Sequence, residues 1–181
     1  MEEILKDLQN RFDLTEVIKK DEVRTIITAK KEDIRPLLLH LKTFSGFTHL
    51  VLISAVDYIE DNKFQLTYIL HNYDLKKYIL LRVFIDRENP IMESIHPLWK
   101  QARVYQREIR EMMGINFPGS PDVDKPLILE GWENMPPMRK DFNTLSYVAQ
   151  TYFPRPGRKT YDPREYMKKK LYPEEELKNE S

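Results

Sequence analysis

The histidines are the residues of this chain whose type most readily suggests a metal site. They are scattered, with no two at the spacing of paired metal ligands: His40, His49, His71 and His96. Paired ligands on one element, as in a zinc-binding helix, repeat at short fixed intervals. We therefore predict structural or surface histidines and no metal site.

Two groups of carboxylates could bind a hard cation or transfer protons. Asp122 and Asp124 lie in a proline-rich stretch, and Glu130 and Glu133 flank Gly131-Trp132. Such pairs are common in solvated loops, so we expect a loop here. An autonomous acid–base enzyme built on these four residues stays open as an alternative.

The chain contains no cysteine. A thiolate zinc site, a cysteine nucleophile and a cysteine-ligated iron–sulfur cluster are therefore excluded. Gly114 and Gly119 do not form a phosphate-binding loop, and we interpret them as a helix C-cap and a turn. We predict no catalytic residue and no cofactor in this chain.

Charge and hydropathy limit the possible partners. The chain has 29 basic and 29 acidic residues among 181, so a general polyanion binder is not favoured. No apolar run reaches the roughly 20 residues of a membrane span. We expect a soluble protein that reaches a membrane only through partners.

Three arginines are predicted to lie on one side of an amphipathic helix. Arg103, Arg107 and Arg110 are spaced at i, i+4 and i+7, opposite an apolar stripe that includes Tyr105 and Ile109. Arginine is the charged residue most favoured at protein interfaces. The pattern fits a charged interface or a solvated helix face about equally.

The first half of the chain predicts an α+β two-layer sandwich of order α-β-β-α-β-β-β. Two amphipathic helices alternate with β-branched runs, and the runs near residues 50–56, 64–70 and 79–85 favour an antiparallel meander. Pro36 is compatible with the second helix only in its first turn. We divide the chain into an α+β domain (1–88), a charged amphipathic helix region (89–116) and an extended arm (117–181).

The arm is rich in prolines and aromatic residues. Nine of the 12 prolines lie between Pro118 and Pro173, interleaved with tyrosines, which disordered tails usually lack. We expect the arm to cover a partner surface. Seven Lys and Arg residues fall within 155–170, so a nucleic-acid-binding module is a rival of another class.

Two motifs in the second half resemble a known family. They are Arg107-Glu108-x-x-Glu111-Met112-Met113-Gly114-Ile115-x-Phe117-x-Gly119-x-Pro121-Asp122 and Pro137-Met138-Arg139-Lys140-Asp141-Phe142. Together with Trp99-x-x-Ala102, they resemble the 30 kDa subunit of respiratory complex I, a module that also occurs in membrane-bound NiFe hydrogenases. The order of elements before them agrees with that family's N-terminal domain.

Four single positions depart from the family's pattern, and Val123-Asp124-Lys125 replaces its usual Leu-Arg-Arg. Gln106 stands for its first glutamate, Glu111 for aspartate, Met113 for an aromatic residue and Ser120 for histidine. These departures favour the hydrogenase or ferredoxin-linked branch over the quinone-reducing branch.

The resemblance implies a non-catalytic scaffold subunit of a membrane-attached, complex I-like redox complex, for which we expect a membrane-bound NiFe hydrogenase. An NADH/quinone or ferredoxin-linked oxidoreductase is the alternative. The expected partners are a hydrogenase-large-subunit-like chain and a small iron–sulfur subunit, which would hold the NiFe centre and the clusters. The chain would be peripheral on the cytoplasmic side of the cell membrane, linked indirectly to the membrane arm.

The expected partner interface comprises helix charges, apolar anchors and the second motif. Phe117, Pro121 and Phe142 would pack into partner grooves, and the basic-acidic motif would fix the register. The full set is Arg103, Arg107, Glu108, Arg110, Glu111, Gly114, Phe117, Pro121, Arg139, Lys140, Asp141 and Phe142.

Overall fold

The computed structural model describes residues 1–151 and residue 167. Its elements are α1 (Glu2–Arg11), β1 (Leu14–Lys19), β2 (Arg24–Ala29), α2 (Ile34–Thr43), β3 (His49–Tyr58), β4 (Lys63–Asn72), β5 (Lys77–Asp86), α3 (Ala102–Met113) and α4 (Thr144–Thr151). Short 3-10 turns at Lys31–Asp33 and Ile59–Asp61 precede α2 and β4. The predicted element order is confirmed, and Pro36 lies in the first turn of α2 as required.

Side-chain hydrogen bonds close two of the three hairpin turns of the sheet. The Asp21 carboxylate accepts the backbone N–H groups of Val23 and Arg24 at 2.9 and 2.7 Å and so closes the β1–β2 turn. The Asn72 side-chain oxygen accepts the Leu75 N–H at 2.8 Å in the β4–β5 turn. The strands therefore reverse direction at these two turns.

The five strands form one sheet in the order β1-β2-β5-β4-β3. The β3–β4–β5 meander is antiparallel, as expected, and β1 pairs with β2 as a hairpin. The two parts are joined by a parallel pairing of β2 with β5, in which Ile27 lies opposite Leu81. The last of the described strands along the chain, β5, is thus the central strand of the sheet.

Helices cover one face of this sheet. Alternate residues of β4 and β5, such as Leu66 and Leu81, share a core with Leu8 of α1 and Leu38 of α2. This arrangement confirms the two-layer α+β sandwich. The opposite face keeps partly exposed apolar residues, among them Phe84.

The helix α3 and the turn that precedes it protect the outer edge of β3 and the residue before it. The Trp99 indole N–H donates to the Thr48 carbonyl at 2.7 Å, and the Tyr105 hydroxyl donates to the Val51 carbonyl at 2.9 Å. Side chains thereby satisfy carbonyl groups that an edge strand would leave open to other chains. These bonds fix α3, and with it both family motifs, beside the sheet.

Residues 1–142 form one compact unit, and a second unit begins at Asn143. Besides Met167, the described part of the second unit is Asn143 and the helix α4. Asn143 is the N-cap of α4, because its side-chain oxygen accepts the Ser146 N–H at 3.0 Å. The sequence did not predict this helix. The basic patch at 155–170, except Met167, lies outside the described residues, and the division at 88 and 116 stays a prediction.

Candidate partner interface

Arg107 holds the loop that follows α3 rather than pointing freely outward. Its guanidinium donates to the backbone carbonyls of Lys125 and Pro126 at 3.2 and 2.7 Å. The planar guanidinium suits this double contact because its N–H groups diverge in one plane. The residue predicted to face a partner therefore has a structural task within its own chain.

The two neighbouring arginines make ion pairs with the same loop. Arg103 lies 2.8 Å from the Asp122 carboxylate, and Arg110 lies 3.3 Å from that of Asp124. Lys125 adds a second contact to Asp122 at 2.7 Å. All three arginines of the predicted face thus contact one segment of their own chain, and any role at an interface stays a prediction.

These pairs also bear on the acid–base alternative. The hydrogen bond from Lys125 is the largest influence on Asp122 and, with the nearby charges of Arg103 and Arg107, holds the pKa of its carboxyl below the ordinary value. A carboxylate held ionised by cations is a weak base, so this geometry favours an anchoring role for Asp122. The side chains of Glu130 and Glu133 are exposed.

Glu111 anchors the same loop through its backbone. Its carboxylate accepts the N–H groups of Leu127, Ile128 and Leu129 at 2.8, 3.0 and 3.2 Å. An anion that receives three successive amide N–H groups fixes the backbone conformation of the segment that donates them. Glu111 therefore sets the path of the chain between the two family motifs.

We predict that Glu111→Ala will loosen residues 127–129 without unfolding the sheet. Losing the acceptor should speed amide exchange at these positions at least about fivefold, equivalent to about 1 kcal/mol of local stability. Hydrogen exchange of the purified chain measures this. Glu108→Ala on the same helix is the matched control and should leave these amides unchanged; equal exchange in both variants would contradict the anchoring role.

The second family motif is anchored at the end of the sheet. The Lys140 backbone N–H donates to the Asp57 carboxylate at 2.9 Å, and Asp141 lies 2.7 Å from the Arg87 guanidinium. Arg139 stacks over the Phe64 ring, with 5.4 Å between the guanidinium carbon and the ring centre. The motif is therefore part of the folded unit rather than a free arm.

Other side chains of this motif reach nearby surface groups. The Lys140 ammonium lies 3.3 Å from the Glu60 carboxylate, and the Phe142 ring lies 5.7 Å from that of Trp132. The Lys140 and Asp141 residues remain exposed, and Phe142 is half-buried. A contact of these three residues with a partner stays a prediction.

Asp57 and Arg87 form the buried centre of this anchor. Arg87 donates to both Asp57 oxygens, at 2.8 and 3.1 Å, and Asp57 is only 3% exposed. Burial on its own would raise the pKa of Asp57. Hydrogen bonds from Arg87 and from the Lys140 N–H, with the charges of Arg87 and Arg139, hold the pKa below its ordinary value. The pair is therefore ionised at neutral pH.

Phe117 was expected to pack into a groove of a partner, and the structure corrects this. Its side chain is fully buried in the core of its own chain. The cause is a short parallel bridge between Ile91 and Asn116, with the Met92 N–H donating to the Asn116 carbonyl at 2.9 Å. This bridge directs Phe117 inward, where no partner can reach it.

Gly114 has a conformational and a steric reason to be glycine. It ends α3 with φ of 79°, in the left-handed region that a C-cap requires. A Cβ at this position would also come within 3.0 Å of the Pro136 ring. The predicted cap is confirmed.

Pro121 is half-buried in the loop that follows α3, and its contact with a partner stays a prediction.

Ser94, Gln106 and Ser120 are buried polar residues that sequence reasoning did not identify as such. The Ser94 hydroxyl donates to the Gln106 side-chain oxygen at 2.9 Å, and Ser120 lies in the turn that returns to Ser94. Gln106 is fully buried although it lies between charged residues in the sequence. Two departures from the family's pattern, Gln106 and Ser120, thus belong to one region of the fold.

Asp57 and Arg87 were also missed. An acidic residue near the end of an otherwise apolar strand, followed later by an arginine just beyond another strand, is a weak signal for a buried pair.

Among the described residues, no group of three or more His, Asp or Glu could hold a metal ion, and no helix is long and apolar enough to cross a membrane.

Known proteins resemble this chain in fold and in sequence. A chain in the structure of a membrane-bound sulfane sulfur reductase, an archaeal respiratory membrane complex, superposes with a TM-score of 0.76 at 27% identity, covering 88% of this chain and 98% of that one. An NADH-quinone oxidoreductase subunit from Moorella thermoacetica is 32% identical over 142 residues, 78% of this chain and 95% of that protein. The chain is therefore a subunit of a complex I-like respiratory complex.

A further relative and a family profile show which family the chain belongs to. An F420H2 dehydrogenase subunit from Methanosarcina mazei is 28% identical over 146 residues, 77% of this chain and 89% of that protein. The sequence profile of the 30 kDa subunit of respiratory-chain NADH dehydrogenase matches residues 27–148. This protein belongs to that family.

Proposed function

We propose that this chain is a non-catalytic scaffold subunit that holds partner chains together in a membrane-attached redox complex. One observation carries the proposal: the charged residues of both family motifs fix the chain's own segment 122–142 against α3 and the sheet. Charged groups engaged in this way shape a rigid surface rather than take part in chemistry. A preorganised surface reduces the ordering cost of binding.

The partners we propose are a hydrogenase-large-subunit-like chain and a small iron–sulfur subunit. The NiFe centre and the clusters would reside in those partners. The chain would lie on the cytoplasmic side of the membrane, held there through its partners. The exposed Lys140 and Asp141 side chains are suited to polar contacts at the rim of such an interface.

For the particular complex, we propose a membrane-bound NiFe hydrogenase. The departures at Gln106, Glu111, Met113 and Ser120 support this branch over the quinone-reducing one. The second candidate is a complex that reduces another acceptor. The likeness to a chain of an archaeal sulfane sulfur reductase and to a subunit of an NADH-quinone oxidoreductase favours it.

Purification of a tagged full chain from detergent-solubilised membranes of its native host tests the proposal. We expect a hydrogenase-like large subunit and a small iron–sulfur subunit to co-purify, with hydrogen evolution by the recovered complex. Quinone or sulfur reduction without hydrogen evolution would select the second candidate. Recovery of the chain alone, with steep salt-dependent RNA binding, would instead support the nucleic-acid alternative.

A further inference from the structure

An apolar cleft lies between the edge of β3 and the helix α3. Its volume is about 230 Å³. The Met138 N–H donates to the Met112 carbonyl at 3.0 Å, which fixes the second family motif at the end of α3, beside this cleft. The principal lining residues are Leu52, Ala55, Glu108, Ile109, Met112 and Met138.

Apolar side chains at this cleft are open to solvent. Leu52 is 38% exposed and Met138 is 59% exposed, and Val104 lies one turn before Glu108 on the same side of α3 with half of its surface exposed. Single exposed apolar residues are ordinary, but here they surround a concave site. Methionine side chains are flexible and adapt to the shape of an inserted group.

Among the charged side chains of α3, Glu108 alone has no ion-pair or hydrogen-bond partner in the described part of the chain. Arg103 and Arg110 pair with loop carboxylates, and Arg107 and Glu111 bind the loop backbone. The Glu108 carboxylate makes no hydrogen bond or ion pair with any other side chain or backbone group among residues 1–151, and it lines the cleft. The cleft therefore combines an apolar interior with a single free negative charge.

We propose that this cleft receives a segment of a partner subunit that carries an apolar side chain flanked by Lys or Arg. Covering the cleft would remove water from Glu108, and an unpaired buried carboxylate is unfavourable. A cation on the incoming segment offsets this loss, while the apolar side chain fills the space beside Met112 and Met138. The inference rests on the proposed scaffold function and specifies the chemistry of the partner.

A second copy of this chain is a poor occupant. In a symmetric dimer the same surface meets itself, so two Glu108 carboxylates would approach each other without a compensating cation. A cationic segment of a different subunit meets both requirements of the site. It brings opposite charge to the mouth of the cleft and an apolar group to its interior.

Charge reversal in the full chain, expressed in its native host, tests the inference. Glu108→Lys and Met138→Asp should each lower recovery of the partner subunits about tenfold or more, as expected for a desolvated charge pair and its apolar neighbour. Glu108→Gln should make the remaining association less sensitive to salt. Glu3→Lys, a charge reversal on exposed α1, is the matched control and should leave recovery unchanged.

Thermal unfolding separates docking from folding, because all of these variants should melt within a few degrees of the wild type. If the wild type recovers the redox subunits and every variant does so equally, the cleft is not a docking site and the proposed function stands. If the wild type recovers no redox subunit, the proposed function fails and the inference fails with it.

A photo-reactive side chain at Val104 identifies the occupant. A cross-link to a partner peptide that contains an apolar residue beside Lys or Arg supports the inference. A cross-link to residues 143–181 of this chain, to a second copy or to an uncharged peptide overturns it, as does the absence of any cross-link in the assembled complex.

Discussion

Replacing Arg87 with alanine is expected to lower the free energy of unfolding of the full chain by about 3–5 kcal/mol. The substitution leaves the Asp57 carboxylate buried without the guanidinium that donates to both of its oxygens. It also removes the 2.7 Å contact that holds Asp141. Thermal unfolding should show a decrease in Tm of roughly 6–20 °C.

An exposed pair provides the matched control. Arg11 lies 2.6 Å from Asp7 on the surface of α1, with both side chains well exposed. Arg11→Ala should therefore cost about 0.5 kcal/mol or less. Equal losses in the two variants would mean that burial of the Asp57–Arg87 pair has no energetic consequence.

The effect of Arg87→Ala should also depend on pH. The pKa of Asp57 is depressed in the folded chain, so its charge contributes stability that is present above the ordinary carboxyl pKa, near 3.8. This contribution is lost as pH falls through the depressed value. The difference in unfolding free energy between wild type and Arg87→Ala should therefore narrow on acidification below about pH 4. A constant difference would contradict the electrostatic explanation.

Phe117→Ala is expected to destabilise the chain by about 3–5 kcal/mol, because it leaves a cavity in a packed core. The prediction follows from the complete burial of this ring within its own chain. Chemical denaturation of the purified full chain measures the loss. An interface residue would behave differently, with little effect on the isolated chain and a large effect on assembly.

Phe44→Ala is the control for this prediction, since Phe44 is 76% exposed at the end of α2. It should cost less than about 1 kcal/mol. If Phe117→Ala unfolds the isolated chain no more readily than Phe44→Ala does, then Phe117 is not packed into the core as the structure has it.

Local signals were sufficient to predict much of this fold. Asp21 and Asn72 mark turns that the structure contains, and Gly114 ends α3 in the predicted left-handed conformation. Periodicity identified the sandwich and its helices. Each of these features depends on residues that are close together in the chain. A single sequence is therefore enough to predict them.

Features that join distant residues could not be predicted in the same way. The parallel pairing of β2 with β5 and the contact of Lys140 with Asp57 link segments separated by long intervals. Arg107 illustrates the same limit, because helical spacing predicts which side it occupies but not that the loop at Lys125 returns to meet it. The helix α4 was missed because its threonines and valine are weak helix formers, although Asn143 was an available N-cap signal.

The position of β5 has a consequence for synthesis of the protein. The β1–β2 and β3–β4 hairpins emerge from the ribosome before residues 77–86, which pair with both of them. Until those residues arrive, the nascent chain carries two separate ribbons, each with the edge that later binds β5 unsatisfied. Completion of the sheet therefore waits on its last-made strand, and the open edges are exposed to aggregation during that interval.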